Sequence, residues 1–204
     1  MRPRKRDTRL ARAWITSGRQ STTIAADGAV RSVQTASIEL PREMLDRFWA
    51  PAQLENLGRT YWHFLTRFSL GLIRVLYSAQ TRSVVLVSPR MPLLRFQAPK
   101  YSLDVTSGSI SWGILDGLLV SRRGHNSGYL ALHVRRLDDN GSSLSHLNID
   151  VEVANFYPAI ASGLGRSVYR ATQLFIHVIL THAFLRSLAS LELQRSSVRR
   201  FPER

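Results

Sequence analysis

The fold is decided by the stretch GYLALHVRRLDDNGSSLSHLNIDVEVANFY, residues 128–157. Two runs rich in Leu, Ile and Val, residues 128–137 and 147–157, are separated by a turn segment that contains Asn140-Gly141. Asn-Gly is a strong turn signal, and two such runs with no helix between them indicate a hairpin. The stretch therefore predicts antiparallel strands and argues against βαβ crossovers.

The chain before this stretch carries short runs of the same character, rich in Val, Ile, Leu and Tyr and separated by Pro, Gly and Ser. They span residues 83–87, 93–97, 101–106 and 109–120. Gly113 and Gly117 lie on one side of the last run, where glycine permits sharp bending or the close approach of another backbone. We therefore expect a strongly curved antiparallel sheet.

Further towards the N-terminus, residues 30–40 alternate in part and predict a first strand. Pro41 ends this strand and starts a short helix that runs to about Trp49, since proline is favourable at the first helical position. Over residues 52–68, apolar side chains recur every three or four positions, which predicts an amphipathic helix. Residues 70–77 either continue this helix or begin a strand, and the residue types Ile, Val, Leu and Tyr favour the strand.

Near the C-terminus, apolar residues recur at helical spacing over residues 168–188, and Ser167 is a suitable N-cap. The apolar residues cover so much of the helix circumference that a helix over residues 167–193 should be largely buried. Strands followed by a long helix give an α+β architecture, in which the curved antiparallel sheet grips the C-terminal helix. Gln173 and His177, four residues apart, would either form hydrogen bonds in the core or line a cavity wall.

The net charge of +14 is concentrated at the two ends of the chain. The first twenty residues carry +6 and the last ten carry +3, which leaves +5 for the rest. We therefore divide the chain into a flexible basic arm (1–29), a single domain (30–193) and a flexible basic tail (194–204). A nucleic-acid-binding domain would spread its charge over a folded face, so this distribution argues against nucleic acid as the partner.

Cysteine is absent, which excludes disulfides, thiolate metal sites and a cysteine nucleophile. Because this composition fits a reducing compartment and no segment resembles a transmembrane helix, we expect a cytoplasmic protein. The motifs of phosphate-binding, dinucleotide-binding, zinc-protease and serine-hydrolase sites are also absent. His177 and His182 lie five apart, whereas metal ligands on one helix face prefer a spacing of three or four, so we expect no metal and no other cofactor.

The remaining candidates lie on the predicted strands. Asn155 and Tyr157 share one face of the last strand, near the loop before the final helix, and are candidates for ligand contact. Trp112 and Tyr129 lie on central strands and would form either the aromatic walls of a pocket or part of a packed core.

Residues 37–49, SIELPREMLDRFW, combine the end of a strand with a short helix that begins at a proline. Together with the long apolar helix near the C-terminus, this opening resembles the helix-grip fold of the START-like superfamily, also described as SRPBCC or polyketide cyclase-like domains. The resemblance covers residues 30–193 and points to an uncharacterised bacterial branch. It implies a cavity between the sheet and the C-terminal helix, in which members bind lipids, plant hormones or polyketides and some act as cyclases or hydratases.

These observations favour a domain that binds a hydrophobic or amphipathic small molecule. Asp150 and Glu152 share the opposite face of the last strand, and paired carboxylates can do acid–base chemistry. An enzyme on the same scaffold, such as a cyclase, dehydratase or hydrolase, is therefore the first alternative. The second is a protein that contacts nucleic acid or anionic membranes through its basic ends. The candidate ligand contacts are Trp112, Tyr129, Asn155, Tyr157, Gln173 and His177.

Overall fold

The structure is a computed structural model that describes residues 20–86, 92–138 and 142–159. This part of the chain forms two α-helices, nine strands and one short 3-10 turn. The helices are α1 (Arg42–Phe48) and α2 (Pro51–Phe68), and the 3-10 turn spans Arg122–Gly124. The strands are, in chain order, β1 (Gln20–Ile24), β2 (Val30–Pro41), β3 (Ile73–Tyr77), β4 (Thr81–Leu86), β5 (Pro92–Gln97), β6 (Lys100–Leu103), β7 (Ser107–Asp116), β8 (Tyr129–Asp138) and β9 (Leu144–Phe156).

The nine strands form one antiparallel sheet. Its order is β1-β2-β9-β8-β7-β5-β4-β3, and β6 pairs with the first half of β7. The predicted α+β class with an antiparallel sheet is confirmed, and the hairpin predicted from residues 128–157 is the β8–β9 pair. The predicted C-terminal helix over residues 167–193, with Gln173 and His177, lies outside the described residues, as do the first nineteen residues and the basic tail.

One face of the sheet is apolar and packs against the helices. Burial alternates along β2, so that Ala36, Ile38 and Leu40 are buried while their neighbours are more exposed. Ile110 and Trp112 of β7 lie in the same core. Because successive side chains of a strand point to opposite faces, the same alternation leaves the outer face of these strands to polar residues.

α2 packs on this apolar face through aromatic contacts. The rings of Trp62 on α2 and Trp112 on β7 meet edge to face, with centroids 5.2 Å apart, and Tyr61 lies over Trp112 at 6.4 Å. Glycine inside a helix costs about 0.5–1 kcal/mol relative to alanine. Gly58 is accepted here because a Cβ at this position would lie only 3.1 Å from Cζ2 of Trp112.

A second glycine explains how the loop after β7 reaches the neighbouring strand. Gly117 has a φ of +142°, and a Cβ there would lie 2.3 Å from the carbonyl oxygen of Leu93. The next two residues, Leu118 and Leu119, donate backbone hydrogen bonds to the carbonyl oxygens of Pro92 and Leu93. The close backbone approach predicted for this glycine is thus confirmed.

β1 was not expected from the sequence, which assigns its residues to the basic arm. It pairs with β2 through a turn in which Gly28 has a φ of +86°. Residues 21–24 are all exposed. A strand with no buried face leaves no alternation of apolar and polar residues, so nothing in the sequence marked it. The division into arm, domain and tail stays a prediction.

The other boundaries agree with the sequence to within four residues. For residues 70–77 the sequence left helix and strand as alternatives. This segment contains β3, so the strand alternative is confirmed. β9 begins at Leu144, three residues before its predicted start.

Candidate functional site

An apolar recess of about 80 Å³ opens between the helices and the core face of the sheet. It lies under α1 and the first turns of α2, and strands β2, β6, β8 and β9 form its floor. Apart from Gln53 and the indole N–H of Trp49, its walls present apolar groups. The lining residues are Ile38, Leu40, Leu45, Phe48, Trp49, Ala50, Gln53, Leu54, Leu57, Leu103, Val134, Leu147 and Ile149.

Two local features position the walls of this recess. The indole N–H of Trp49 donates to the carbonyl oxygen of Asp104 at 2.8 Å, which fixes the junction of the two helices against the turn after β6. In the sheet below, a Cβ at Gly108 would lie 2.9 Å from side-chain atoms of both Leu103 and Val134. Glycine at this position therefore lets Leu103 and Val134, two residues of the recess wall, pack closely over β7.

The opposite face of the sheet carries a larger and polar groove of about 440 Å³. Its walls come from outward-facing residues of β2, β6, β7, β8 and β9. The pairing register brings Ser109, His133 and Asp150 side by side on adjacent strands. The lining residues are Arg31, Val33, Ser102, Ser107, Gly108, Ser109, His133, Val134, Arg135, Asp150 and Glu152.

Glu152 is the organising group of this groove. It is only 8% exposed, and its two carboxylate oxygens contact Arg31 Nε at 2.7 Å and His133 Nε2 at 3.3 Å. Burial and the nearby Glu152 carboxylate raise the pKa of Tyr129. Within the described chain, Asp150 makes no ion pair, so the two acids that the sequence grouped together have different surroundings.

Trp112, a predicted ligand contact, is part of the packed core. It is 1% exposed and packs against α2, and it does not line the apolar recess. Neither its indole N–H nor that of Trp62 has a hydrogen-bond acceptor in the described part of the chain. Because buried N–H groups are nearly always paired, these two donors mark an incomplete part of the core face.

Tyr129 lies on the outer face beside Glu152, away from the recess. Asn155 is exposed and has a φ of +50°. The register of β9 against β2 shifts at this point, because Val30 pairs with Phe156 whereas Ser32 pairs with Val153. The extra residue ends the simple alternation, and Phe156 packs against the core instead.

Tyr157 points to the hairpin that joins β1 and β2. Its hydroxyl donates to Asp27 Oδ2 at 2.6 Å, and the Arg123 guanidinium lies 5.2 Å from its ring centroid. This hydrogen bond lowers the pKa of Asp27 and raises the pKa of Tyr157. The irregularity in β9 therefore directs Asn155 and Tyr157 away from the core face, and their predicted ligand contact stays a prediction.

Of the six predicted contacts, the four described ones lie in three different places and none lines the recess. The recess residues Leu54, Leu103 and Leu147 were visible in the sequence only as core hydrophobes, since nothing distinguishes a cavity wall from a filled core. His133 and Arg31 could have been found, because both occupy outward positions of alternating strands next to Glu152. In the described part of the chain, no helix has the length and apolarity to cross a bilayer, and no three acidic or histidine side chains group as metal ligands.

The sequence matches no protein-family model and no curated protein. Among solved structures, human STARD10 is 11% identical over 85% of this chain and 73% of its own, with a TM-score of 0.32. The human StarD13 lipid transfer and protein localization domain is 14% identical over 87% and 90%, with a TM-score of 0.35. CalU16 from Micromonospora echinospora is 10% identical over 86% and 90%, with a TM-score of 0.30. These neighbours have START-like helix-grip folds, and because their identities do not exceed 14% and their TM-scores do not exceed 0.35, nothing of their ligands carries over to this chain.

Proposed function

We propose that this chain binds a hydrophobic or amphipathic small molecule on the core face of its sheet. The observation that carries the proposal is the apolar recess under α1 and α2, whose walls include Leu54, Leu103 and Leu147. Apolar walls with a few polar groups are the usual composition of a ligand pocket.

The size of the recess limits what it holds by itself. At about 80 Å³ it is smaller than a cavity of ~150 Å³ that accepts benzene, and far below the ~300–1,000 Å³ of drug-sized pockets. We propose that it receives the apolar end of a longer ligand. The rest of the ligand would extend along the core face towards the predicted helix over residues 167–193.

The two unpaired indole donors support a polar group further along this face. Trp62 and Trp112 are 3% and 1% exposed, and each N–H lacks an acceptor in the described chain. An oxygen of the ligand would satisfy them, as would a side chain of the predicted helix. Gln173 and His177 remain the proposed contacts from that helix.

The test fills the recess and measures binding of a fluorescent fatty acid. Leu147→Trp adds an indole to the wall, and Leu137→Trp makes the same change at an exposed leucine (44%) on the neighbouring strand. We expect Leu147→Trp to weaken binding at least tenfold and Leu137→Trp to leave it unchanged. Circular dichroism confirms that both variants are folded. Equal binding by a folded Leu147→Trp variant, or no binding by the unmodified protein, would refute the proposal.

A further inference from the structure

Four exposed leucines come together at one end of the sheet, and we call them the leucine end. Leu70 and Leu72 lie in the turn between α2 and β3 and are 92% and 58% exposed. Leu86, at the end of β4, is 48% exposed, and Leu118, in the loop after β7, is 52% exposed. Contiguous apolar surface of this kind marks an interaction site more often than scattered single residues do.

The pairing register shows that these leucines are neighbours. Ile73, which follows Leu72, pairs with Leu86. Val85 of the same strand pairs with Pro92, whose carbonyl oxygen accepts from the backbone N–H of Leu118 at 3.0 Å. Since adjacent strands lie about 4.8 Å apart, the leucine end spans roughly 15 Å.

The turn that carries Leu70 is held in place by hydrogen bonds. The N–H groups of Gly71 and Leu70 donate to the carbonyl oxygens of Thr66 and Arg67, the pattern of a Schellman helix end. Ser69, which is buried, accepts from the N–H of Ile73 at 3.0 Å. The turn is therefore preformed, so docking it requires little ordering of the backbone.

Leucine is an unfavourable choice at this position. Leu70 has a φ of +53°, and glycine is the usual residue at this point of a Schellman motif because it has no Cβ. Its side chain is 92% exposed, so it gains no burial inside the protein in return. A residue that strains the backbone without packing in its own fold points to a role against another surface.

The charge around the leucine end is mainly positive, and Asp116, the acid two residues before Leu118, is paired with Arg95. Residues 56–103 contain seven basic residues and no acid, whereas residues 21–194 as a whole carry +5, so the remainder of that range carries −2. Arg67 precedes the turn and Arg74 follows it. Both are exposed, and neither forms an ion pair with the described residues.

We propose that the leucine end docks onto an anionic lipid bilayer. Leu70 and Leu72 enter the boundary between headgroups and acyl chains, while Arg67 and Arg74 contact lipid phosphates. A nucleic acid would use the arginines but would leave the leucines in water, so the combination favours a bilayer. This inference is independent of the ligand site, which lies at the other end of α2.

The test places one fluorescent label at the leucine end of the full-length protein. Because the chain has no cysteine, Leu70→Cys and Val105→Cys each give a single labelling site. Val105 is 83% exposed at the other end of β7, about 30 Å from Leu118 along the strand. With vesicles of phosphatidylcholine and about one-third phosphatidylserine, we expect a blue shift and protection from aqueous quenchers at position 70 and no change at position 105.

Affinity measurements distinguish the contribution of the leucine end to binding from that of the basic chain termini, because all variants retain both termini. Leu70→Asn combined with Leu72→Ser should weaken vesicle binding about tenfold or more, because two apolar side chains no longer leave water. The matched control replaces the exposed Ile24 of β1 and Val105 by serine and should bind as the unmodified protein does. The proposal is overturned if the protein ignores anionic vesicles, if the leucine variant binds as tightly as the control, or if the bound protein keeps position 70 in water. Binding to a DNA duplex in place of vesicles would also overturn it.

Discussion

The two lateral halves of the sheet, the side of β2, β8 and β9 and the side of β3 and β4, differ in how their charges are paired and in how far their leucines are exposed. On the side of β2, β8 and β9, acids and bases neutralise each other: Glu152 contacts Arg31, and Arg136 contacts both Asp46 and Asp138. On the other side, β3 and β4 themselves carry no acid, and two arginines, Arg59 and Arg82, lie over the ring of Tyr77 instead. The first side pairs most of its charges within the described chain, whereas the second leaves positive charge and apolar surface for a partner.

The two sides nevertheless share one core, which passes through α2. Trp62 of this helix contacts Phe96 on one side and Trp112 on the other, with ring centroids 5.3 and 5.2 Å apart. The difference between the sides is therefore a difference of surface, because they are joined by the same buried aromatic cluster. The predictions below test this division, beginning with the core that joins the sides.

Replacing Trp112 by alanine should have the largest effect. The side chain is 1% exposed, and removing a buried aromatic group of this size costs about 3–5 kcal/mol. Urea unfolding measures the loss, and hydrogen exchange should report weaker protection on both sides of the sheet. Trp112→Phe, which keeps a ring, should cost less. A loss below about 1 kcal/mol would mean that Trp112 does not fill the core.

Replacing Glu152 by glutamine tests how much the ion pairs on the side of β2, β8 and β9 contribute to stability. The change removes the negative charge that Arg31 and His133 share and should reduce the free energy of unfolding by about 1 kcal/mol. The effect is modest because Arg31 is 58% exposed in its side chain and regains water. Asp150→Asn is the matched control on the same face of β9, and it should have almost no effect. Equal losses for both variants would show that the groove depends on overall charge and not on the Glu152 contacts.

The sequence predicted the sheet better than the site. Alternation along the strands places Ile149 and Val151 in the core because successive side chains of a strand point to opposite faces of the sheet. The same rule failed at Asn155, where one extra residue in β9 reverses the faces, and no residue type announces such a shift. The recess could not be predicted either, because it depends on how α1 and α2 pack on the sheet, which is a tertiary property. Trp112, Tyr129 and Tyr157 were predicted as ligand contacts, and the residues that they contact in the structure lie far away in sequence.

Leu70→Gly should give the smallest change in stability, and it best distinguishes a role of this residue in folding from a role in membrane docking. Leu70→Gly relieves a left-handed conformation that costs an L-residue about 1–2 kcal/mol, and the greater freedom of glycine in the unfolded chain offsets about half of that gain. The protein should therefore become more stable by up to about 1 kcal/mol in urea unfolding. Leu72→Gly is the control, since Leu72 has a negative φ and should lose about 0.5–1 kcal/mol. Both variants should bind anionic vesicles less tightly, so stability and binding should move in opposite directions at Leu70 and together at Leu72. If Leu70→Gly instead destabilises the protein, the side chain serves the fold itself, and the strain at this turn no longer argues for a membrane partner.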